Sequence, residues 1–197
     1  KIGILLSGGM DSYALAYQVK PEIAVTIDYG QKPAAAEIKA SWLLAERLNI
    51  RHQIIKVDLG PLGSGDLSDT PPLEFAPASD WWPFRNQALI TLAAMNLISF
   101  GIRRLFIATV KSDSYHCDGT EKFVQKISAL LEMQEGGMVL EAPAINSTTV
   151  ELIKGSNIPY SLLAWSHSCH TGNLACGKCR GCAKHRVVVS ELGYAET

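Results

Sequence analysis

The sequence predicts an α/β fold in which a twisted parallel sheet is covered by helices on both faces. Short apolar segments that have the character of strands alternate with longer segments in which apolar residues recur every three or four positions. This alternation is typical of parallel strands joined by crossover helices. The hydrophobic content of 47% is high enough to build a substantial core in a chain of 197 residues.

The first third of the chain establishes the pattern of strand, helix and strand. The strands are predicted at residues 1–6, 23–27 and 52–57, and a first helix at 10–18. Pro33 suits the first turn of a second helix, whose apolar spacing continues to Arg47.

A long segment, residues 59–80, follows the third strand and contains repeated Gly, Pro, Ser and Asp without any period. Structureless stretches of this length in compact domains are usually functional loops, so we expect a lid over the site. Further elements are a helix at 86–100, a strand at 104–110 and a helix at 120–131. Thr148 and Glu151 have the spacing of a capping box that opens one more short helix.

Composition divides the chain in two. From residue 165 onwards the apolar pattern gives way to Ser, His, Gly and Cys, which predicts an α/β domain at 1–164 and a small irregular module, 165–197, packed on it. Eighteen basic and nineteen acidic residues give a net charge of -1 without any basic run, which argues against a nucleic acid partner. No apolar run approaches the ~20 residues of a membrane span, and the start lacks a signal peptide pattern, so we expect a cytoplasmic protein.

The segment from Ser7 to Ser12, S-G-G-M-D-S, is the first candidate site because it follows a strand and opens a helix. Backbone N–H groups and the helix dipole converge on an anion at such a position, and the two serine hydroxyls can donate to its oxygens. The loop lacks the lysine of a Walker A loop and the third glycine of a dinucleotide fingerprint. An ordinary tight turn capped by Asp11 or Ser7 is the alternative interpretation.

Four cysteines near the C-terminus form the second candidate site, with the spacing C-x6-C-x2-C-x2-C. Four thiolates are the ligand set of a closed structural zinc site, and an iron–sulfur cluster uses the same ligands. We expect zinc at Cys169, Cys176, Cys179 and Cys182. A closed site has no open position for water, so the metal is expected to stabilise the module and not to catalyse.

Taken together, the motifs resemble the 7-cyano-7-deazaguanine synthase family of N-type ATP pyrophosphatases, over nearly the whole chain. They are S-G-G-x-D-S at 7–12, D-Y-G-Q at 28–31, R-N at 85–86 and the terminal cysteine cluster. The resemblance implies an adenine nucleotide alpha hydrolase-like fold, ATP and Mg²⁺, and a homodimer. It also implies that the carboxylate of 7-carboxy-7-deazaguanine is adenylated and passed to ammonia, giving an amide and then a nitrile.

The same resemblance assigns the site residues. Nucleotide binding is implied for Ser7, Gly8, Gly9, Asp11, Ser12, Asp28, Tyr29 and Gln31, and substrate binding for Arg85, Asn86 and Asp118. Catalytic roles are implied for Ser7, Asp11, Ser12 and Arg85. Two of these residues have plain structural alternatives, because Asn86 and Asp118 are each good N-caps for the helix that follows them.

The segment that should read the substrate departs from the family pattern. Where the family has an Asp-Cys-Arg run before a helical Phe, this chain has Asp118-Gly119-Thr120 before Phe123, so only the Asp matches. The departure suggests a diverged paralogue, and one alternative is an enzyme that joins the deazaguanine acid to a protein or small-molecule amine and stops at the amide. A tRNA sulfurtransferase and a non-enzymatic nucleotide sensor are further alternatives.

Overall fold

The computed structural model describes residues 1–194 and contains a five-stranded parallel sheet. The strands are β1 (Gly3–Leu5), β2 (Ile23–Asp28), β3 (Arg51–Lys56), β4 (Arg104–Phe106) and β5 (Val139–Glu141). Their order in the sheet is β3-β2-β1-β4-β5, with Gly3 of β1 paired to Ile23 of β2 and to Leu105 of β4. The predicted parallel sheet is confirmed.

Seven helices connect and follow the strands in the described part of the chain. They are α1 (Met10–Val19), α2 (Ala34–Leu48), α3 (Arg85–Ile98), α4 (Glu121–Glu132), α5 (Thr149–Ser156), α6 (Tyr160–Leu163) and α7 (Arg180–Glu191). Short 3-10 helices lie at Gly60–Leu62, Gly65–Leu67, Lys111–Tyr115 and Cys117–Gly119. No helix among these residues is both long enough and apolar enough to cross a membrane.

Two buried clusters cover the two faces of the sheet, as predicted. One cluster joins β1 to α1, α2, α5, α6 and α7, through side chains such as Tyr13, Leu44 and Leu163. The other joins β2 and β4 to α3 and α4, through side chains such as Val25, Leu97 and Ile127. Because α7 contributes Val188 to the first cluster, the C-terminal module packs on the core. The boundary at residue 164 stays a prediction, and residues 195–197 of the predicted module lie outside the described residues.

The C-terminal module differs from its predicted irregular structure, because α7 runs for twelve residues within it. Its sequence begins with Arg, Gly and Cys, and its buried apolar residues, Val188 and Val189, fall in its last turns. The first turn of α7 is stabilised instead by Cys179, whose Sγ accepts a hydrogen bond from the backbone N–H of Cys182 at 3.4 Å. A thiol N-cap is not part of the usual helix-start signature. Neither that signature nor hydrophobic periodicity could therefore predict this helix.

Thr148→Ala tests the capping box that opens α5. The Thr148 hydroxyl accepts from the Glu151 N–H at 3.2 Å, and the Glu151 carboxylate accepts from the Thr148 N–H at 2.7 Å, as the sequence predicts. We expect the substitution to lower the free energy of unfolding by about 1 kcal/mol, because it removes one acceptor at the start of the helix. Thr91→Ala, at an exposed position inside α3, is the control in urea denaturation. An equal loss in both variants would contradict a capping role.

Candidate functional site

A cleft of about 600 Å³ opens at the carboxyl ends of β1 and β4. The chain builds the sheet outward from β1 to β3 and then returns to place β4 on the other side of β1, so these two strands form a topological switch point. Ligands bind at such points in open α/β sheets. The cleft is lined mainly by the loop 7–12, residues 80–86, residues 107–119 after β4 and the C-terminal module, with further residues such as Tyr29 and Glu37.

The loop 7–12 leaves the start of α1 open. Gly9 is the N-cap residue, so neither Asp11 nor Ser7 takes that position. Ser7 Oγ accepts from the Gly9 N–H at 3.4 Å, so a turn held by Ser7 remains the alternative interpretation. The Ser7 and Ser12 hydroxyls lie 3.2 Å apart, and Ser12 Oγ donates to the Gly9 carbonyl oxygen at 2.9 Å. A helix N-terminus without a side-chain cap, flanked by two hydroxyls, is suited to an anion such as a phosphate.

Gly8 and Gly9 have different reasons to be glycine. Gly8 has a φ of +79°, and a Cβ there would lie 2.7 Å from the Glu37 carbonyl oxygen of α2. Gly8 is therefore required by packing and does not itself line the cleft. Gly9 does line it, and the nearest atom to a Cβ there, outside the adjoining residues, would be Ser7 Oγ at 3.6 Å. The space beside Gly9 is thus left free for a ligand.

Lys184 is a site residue that the sequence analysis missed. It extends from α7 so that its Nζ lies 2.8 Å from Asp11 Oδ2 and 3.7 Å from Asp113 Oδ1. Partial burial works against its charge, but the two carboxylates dominate and raise the pKa of Lys184 above its ordinary value. The lysine lies in a segment without predicted structure, so no sequence signal placed it at the loop. Within residues 1–194, Asp11 Oδ1 is buried and has no hydrogen-bond partner.

The D-Y-G-Q turn contributes one residue to the cleft and uses the others to hold its own shape. Tyr29 lines the cleft, and its ring packs edge-on against Trp82 at 5.1 Å between centroids. Gln31 is buried; its side chain accepts from the Tyr29 N–H at 2.8 Å and donates to Glu37 at 2.7 Å. Asp28 accepts from the Gly30 N–H at 3.2 Å. Neither Asp28 nor Gln31 lines the cleft.

Arg85 and Asn86 both line the cleft at the start of α3. The N-cap of this helix is Phe84, in the left-handed region with a φ of 56°, so the interpretation of Asn86 as N-cap is wrong. Asn86 Oδ1 instead accepts from Arg85 Nε at 3.2 Å. Burial raises the pKa of Glu37, another cleft residue, to about 7, although the Gln31 hydrogen bond and the Arg85 charge act to lower it.

Asp118 also lines the cleft, and its structural alternative is wrong as well. The N-cap of α4 is Thr120, whose hydroxyl accepts from the Phe123 N–H at 3.3 Å. Asp118 is therefore not needed to start the helix. It lies beside Gly119, which also lines the cleft, on the segment where the sequence departs from the family pattern.

Asp80 joins the end of the long loop to the C-terminal module. Its carboxylate lies 2.9 Å from Arg180 Nη1, 3.6 Å from His170 Nδ1 and 3.8 Å from His116 Nε2. Burial lowers the pKa of His170, so its imidazole is neutral at neutral pH. Arg180 therefore supplies the positive charge that faces the Asp80 carboxylate. The role of residues 59–80 as a lid stays a prediction.

The four cysteines converge as predicted. The Sγ atoms of Cys169, Cys176, Cys179 and Cys182 all lie within 4.8 Å of one another, and the group has no other member among the described residues. A tetrahedral zinc site with Zn–S bonds of ~2.3 Å needs sulfur atoms about 3.8 Å apart, so the cluster fits a metal. A side-chain hydrogen bond from Thr171, with backbone hydrogen bonds from Lys178 and Cys179, lowers the pKa of Cys176 to about 5, which favours a thiolate.

Comparison with known proteins agrees with this geometry. The family model described as "Queuosine biosynthesis protein QueC" matches residues 1–192. The chain belongs to the QueC family. It is 31% identical to the 7-cyano-7-deazaguanine synthase of Porphyromonas gingivalis, over 98% of this chain and 94% of that protein. The synthase of Stutzerimonas stutzeri is 29% identical, over 100% of this chain and 96% of that protein.

Among solved structures, the U34-tRNA thiolase NcsA from Methanococcus maripaludis with its [4Fe-4S] cluster matches with a TM-score of 0.47 and 12% identity. The match covers 100% of this chain and 82% of that one.

Glu37→Gln tests the buried carboxyl of this QueC family member. Because its pKa rises from 4.5 to about 7 on folding, the folded state binds the proton more tightly, and the protein loses stability as the pH rises through this interval. We expect the variant to be more stable than the parent above about pH 7, by on the order of 2–3 kcal/mol, and the difference to shrink towards about pH 5. Urea denaturation across this range measures it, with Glu46→Gln on the exposed side of α2 as control. A difference that does not vary with pH would contradict the shift.

Asp80→Asn tests the contact between the long loop and the module. Loss of the carboxylate removes the Arg180 ion pair, which we expect to raise the rate of chymotrypsin cleavage at the exposed Phe75 roughly fivefold through more frequent loop opening. Asp69→Asn is the matched control. Asp69 lies in the same loop, its side chain is fully exposed, and it pairs with Lys32. Equal cleavage rates in the two variants would show that Asp80 does not hold the loop.

Proposed function

We propose that this chain is an ATP-dependent ligase that adenylates the carboxylate of 7-carboxy-7-deazaguanine and passes it to ammonia, giving the amide and then 7-cyano-7-deazaguanine. The observation that carries the proposal is the open N-terminus of α1, flanked by Ser7, Gly9 and Ser12, at the switch point of the sheet. The product is taken from the relatives, which are 7-cyano-7-deazaguanine synthases.

In the first step a carboxylate oxygen of the acid attacks the α-phosphorus of ATP. The bond from this phosphorus to its bridging oxygen breaks, pyrophosphate leaves, and the acid becomes an acyl-adenylate. Negative charge accumulates on the leaving pyrophosphate, and we assign its stabilisation to the N–H groups of the loop and to the hydroxyls of Ser7 and Ser12. Activation is necessary because a free carboxylate does not react with an amine until its oxygen becomes part of a good leaving group.

Asp11 is the residue that would hold Mg²⁺ beside the phosphates. Its Oδ1 atom is buried and lacks a hydrogen-bond partner within the described residues, and a carboxylate oxygen is a ligand that magnesium prefers. The ion, when bound, neutralises phosphate charge. Asp113, 3.7 Å from the same lysine that contacts Asp11, keeps a second carboxylate near this position.

The acid is assigned to the side of the cleft between Arg85, Asn86 and Asp118. The planar guanidinium of Arg85 is suited to a carboxylate or a phosphate. The carboxylate of Asp118 can accept from the two adjacent N–H donors of a deazaguanine ring. Ammonia then attacks the acyl carbon and AMP leaves. The amide oxygen then attacks the α-phosphorus of a second ATP, and a second pyrophosphate and one N–H proton leave. Loss of AMP and of the remaining N–H proton from this adenylated intermediate gives the nitrile.

The four-cysteine cluster is assigned a structural zinc ion. All four sulfur atoms would bind the ion, so no ligand position would remain for water or substrate. Cys117, the fifth cysteine, is exposed and apart from the cluster, which disfavours a sulfurtransferase that needs a catalytic pair in the core. The homodimer remains a proposal from the family resemblance, and the cytoplasmic location remains an expectation from the sequence.

One alternative is supported by a specific observation. Gly119, which departs from the family pattern, lines the cleft next to Asp118. A cleft altered at this point fits an enzyme that joins the acid to a protein or small-molecule amine and stops at the amide.

Purified protein supplied with ATP, Mg²⁺ and 7-carboxy-7-deazaguanine, with and without ammonium, tests the proposal through AMP, pyrophosphate and product mass. We expect nitrile with ammonium present. Ser12→Ala should slow pyrophosphate release roughly 10²-fold, because it removes a donor to the leaving group. Ser190→Ala, at an exposed position late in α7, is the control.

The possible products separate the candidates. An amide that does not proceed to nitrile would support the alternative. Release of no AMP by folded, metal-loaded protein under any of these conditions would overturn the assignment as a ligase. Loss of rate in Ser190→Ala equal to that in Ser12→Ala would remove the loop from the mechanism.

A further inference from the structure

The loop that we assign to the phosphates contains no cation of its own. Residues 7–12 include no Lys or Arg, although a leaving pyrophosphate carries several negative charges. The basic side chain that the structure brings to this loop is Lys184, at 2.8 Å from Asp11 Oδ2. Lys184 lines the cleft, and its side chain is 36% exposed, so its Nζ is within reach of a ligand.

The position of Lys184 depends on the four-cysteine cluster. Lys184 lies two residues after Cys182 and in the second turn of α7, and Cys179 is the N-cap of that helix. Backbone N–H groups of Cys182 and His170 both donate to Cys179 Sγ, each at 3.4 Å. A metal that fixes Cys179 and Cys182 therefore also fixes the start of α7 and the direction in which Lys184 leaves it.

A second contact ties the module to the loop. The His167 N–H donates to the Gly8 carbonyl oxygen at 2.8 Å, so the chain that leads into the cluster is hydrogen-bonded to the loop itself. The loop and the cluster are thus connected on one side through His167 and on the other through Lys184.

We propose that Lys184 is the phosphate-binding cation of this site and that the metal in the four-cysteine cluster, by positioning Lys184, sets the affinity for ATP. This inference rests on the proposed use of ATP. Asp11 and Asp113 hold the ammonium group beside the loop before the nucleotide arrives. When the nucleotide binds, the flexible side chain shares its three donors between Asp11 and the phosphate oxygens. A prepositioned charge in a partly buried site stabilises the leaving group without reorganisation at the moment of reaction.

A purely structural role for Lys184 makes a different prediction. An ion pair that only fastens the module to the core would lower the thermal stability when lost and leave nucleotide affinity unchanged. Binding affinity for ATP, measured separately from stability, distinguishes the two roles.

The experiment compares Lys184→Met and Lys184→Arg with the parent and with Lys178→Met. Lys178 is exposed in the same module and does not line the cleft, so its loss controls for a general reduction in positive charge. Dissociation constants for Mg·ATP and for Mg·pyrophosphate are measured by calorimetry on metal-loaded protein, together with metal content and melting temperature. Binding to either ligand does not require the deazaguanine acid.

We expect Lys184→Met to weaken both ligands roughly 10- to 100-fold, because a hydrogen-bonded charge is lost, with unchanged metal content. Lys184→Arg should stay within roughly threefold of the parent, since it keeps the charge, and Lys178→Met should match the parent. Removal of the metal by a chelator should weaken ATP binding in the parent by about the factor seen in Lys184→Met. In Lys184→Met, removal of the metal should weaken ATP binding little further.

Three results would overturn the inference. The first is ATP and pyrophosphate affinity in Lys184→Met equal to that of the parent, whatever the change in melting temperature. The second is a loss of ATP affinity on metal removal that is the same in the parent and in Lys184→Met. The third is a parent protein that binds neither ligand, which overturns the proposed function as well. If the chelated protein unfolds, the ATP and pyrophosphate affinities of metal-loaded Lys184→Met and Lys184→Arg decide whether Lys184 binds phosphate.

Discussion

The close approach of the loop 7–12 to α2 at Gly8 is the constraint on which the geometry of the cleft depends. The positive φ of Gly8 and its contact with the Glu37 backbone leave no room for a side chain. The same contact brings the first turn of α2, with the Glu37 carboxyl, into the cleft beside Arg85. A buried hydrogen bond from the Tyr13 hydroxyl to the Ala40 carbonyl oxygen holds α1 and α2 together behind the loop. The loop therefore keeps its shape without help from a ligand.

The two parts into which composition divides the chain act on one cleft. Core residues supply the open helix N-terminus, while the module supplies Lys184 beside this loop and Arg180 beside Asp80. Arg180 pairs with Asp80 and Lys184 with Asp11, so the two cations are balanced by carboxylates from distant parts of the sequence. Without the module, Asp11 and Asp80 would lack these partners. This would destabilise both carboxylates, because buried or half-buried charge needs compensation. The module therefore contributes side chains to the cleft as well as packing on the core.

Sequence reasoning succeeded where the signal is local or strongly periodic. The capping box at Thr148 and the cysteine cluster followed from patterns that a single segment contains, and the parallel sheet followed from the alternation of strands and helices along the chain. It failed where tertiary contacts decide. The strand β5 was not predicted, and α7 begins on a cysteine N-cap. Phe84 adopts the left-handed region, which propensity disfavours for a bulky residue, and this moved the start of α3 ahead of Asn86. Lys184 was missed for the same reason as α7.

In the segment after β4 that departs from the family pattern, the backbone conformation requires glycine at position 119. A Cβ at Gly119 would overlap the carbonyl oxygen of Asp113, so no side chain fits at this position in the observed conformation. Asp113 is itself fixed, because its carboxylate accepts from the Val110 N–H at 3.0 Å and lies near Lys184. Placing the family's cysteine at position 119 would therefore displace the partner of Lys184. Since the Asp113 carboxylate lies near Lys184, a change in the segment after β4 is expected to alter the surroundings of Lys184 as well.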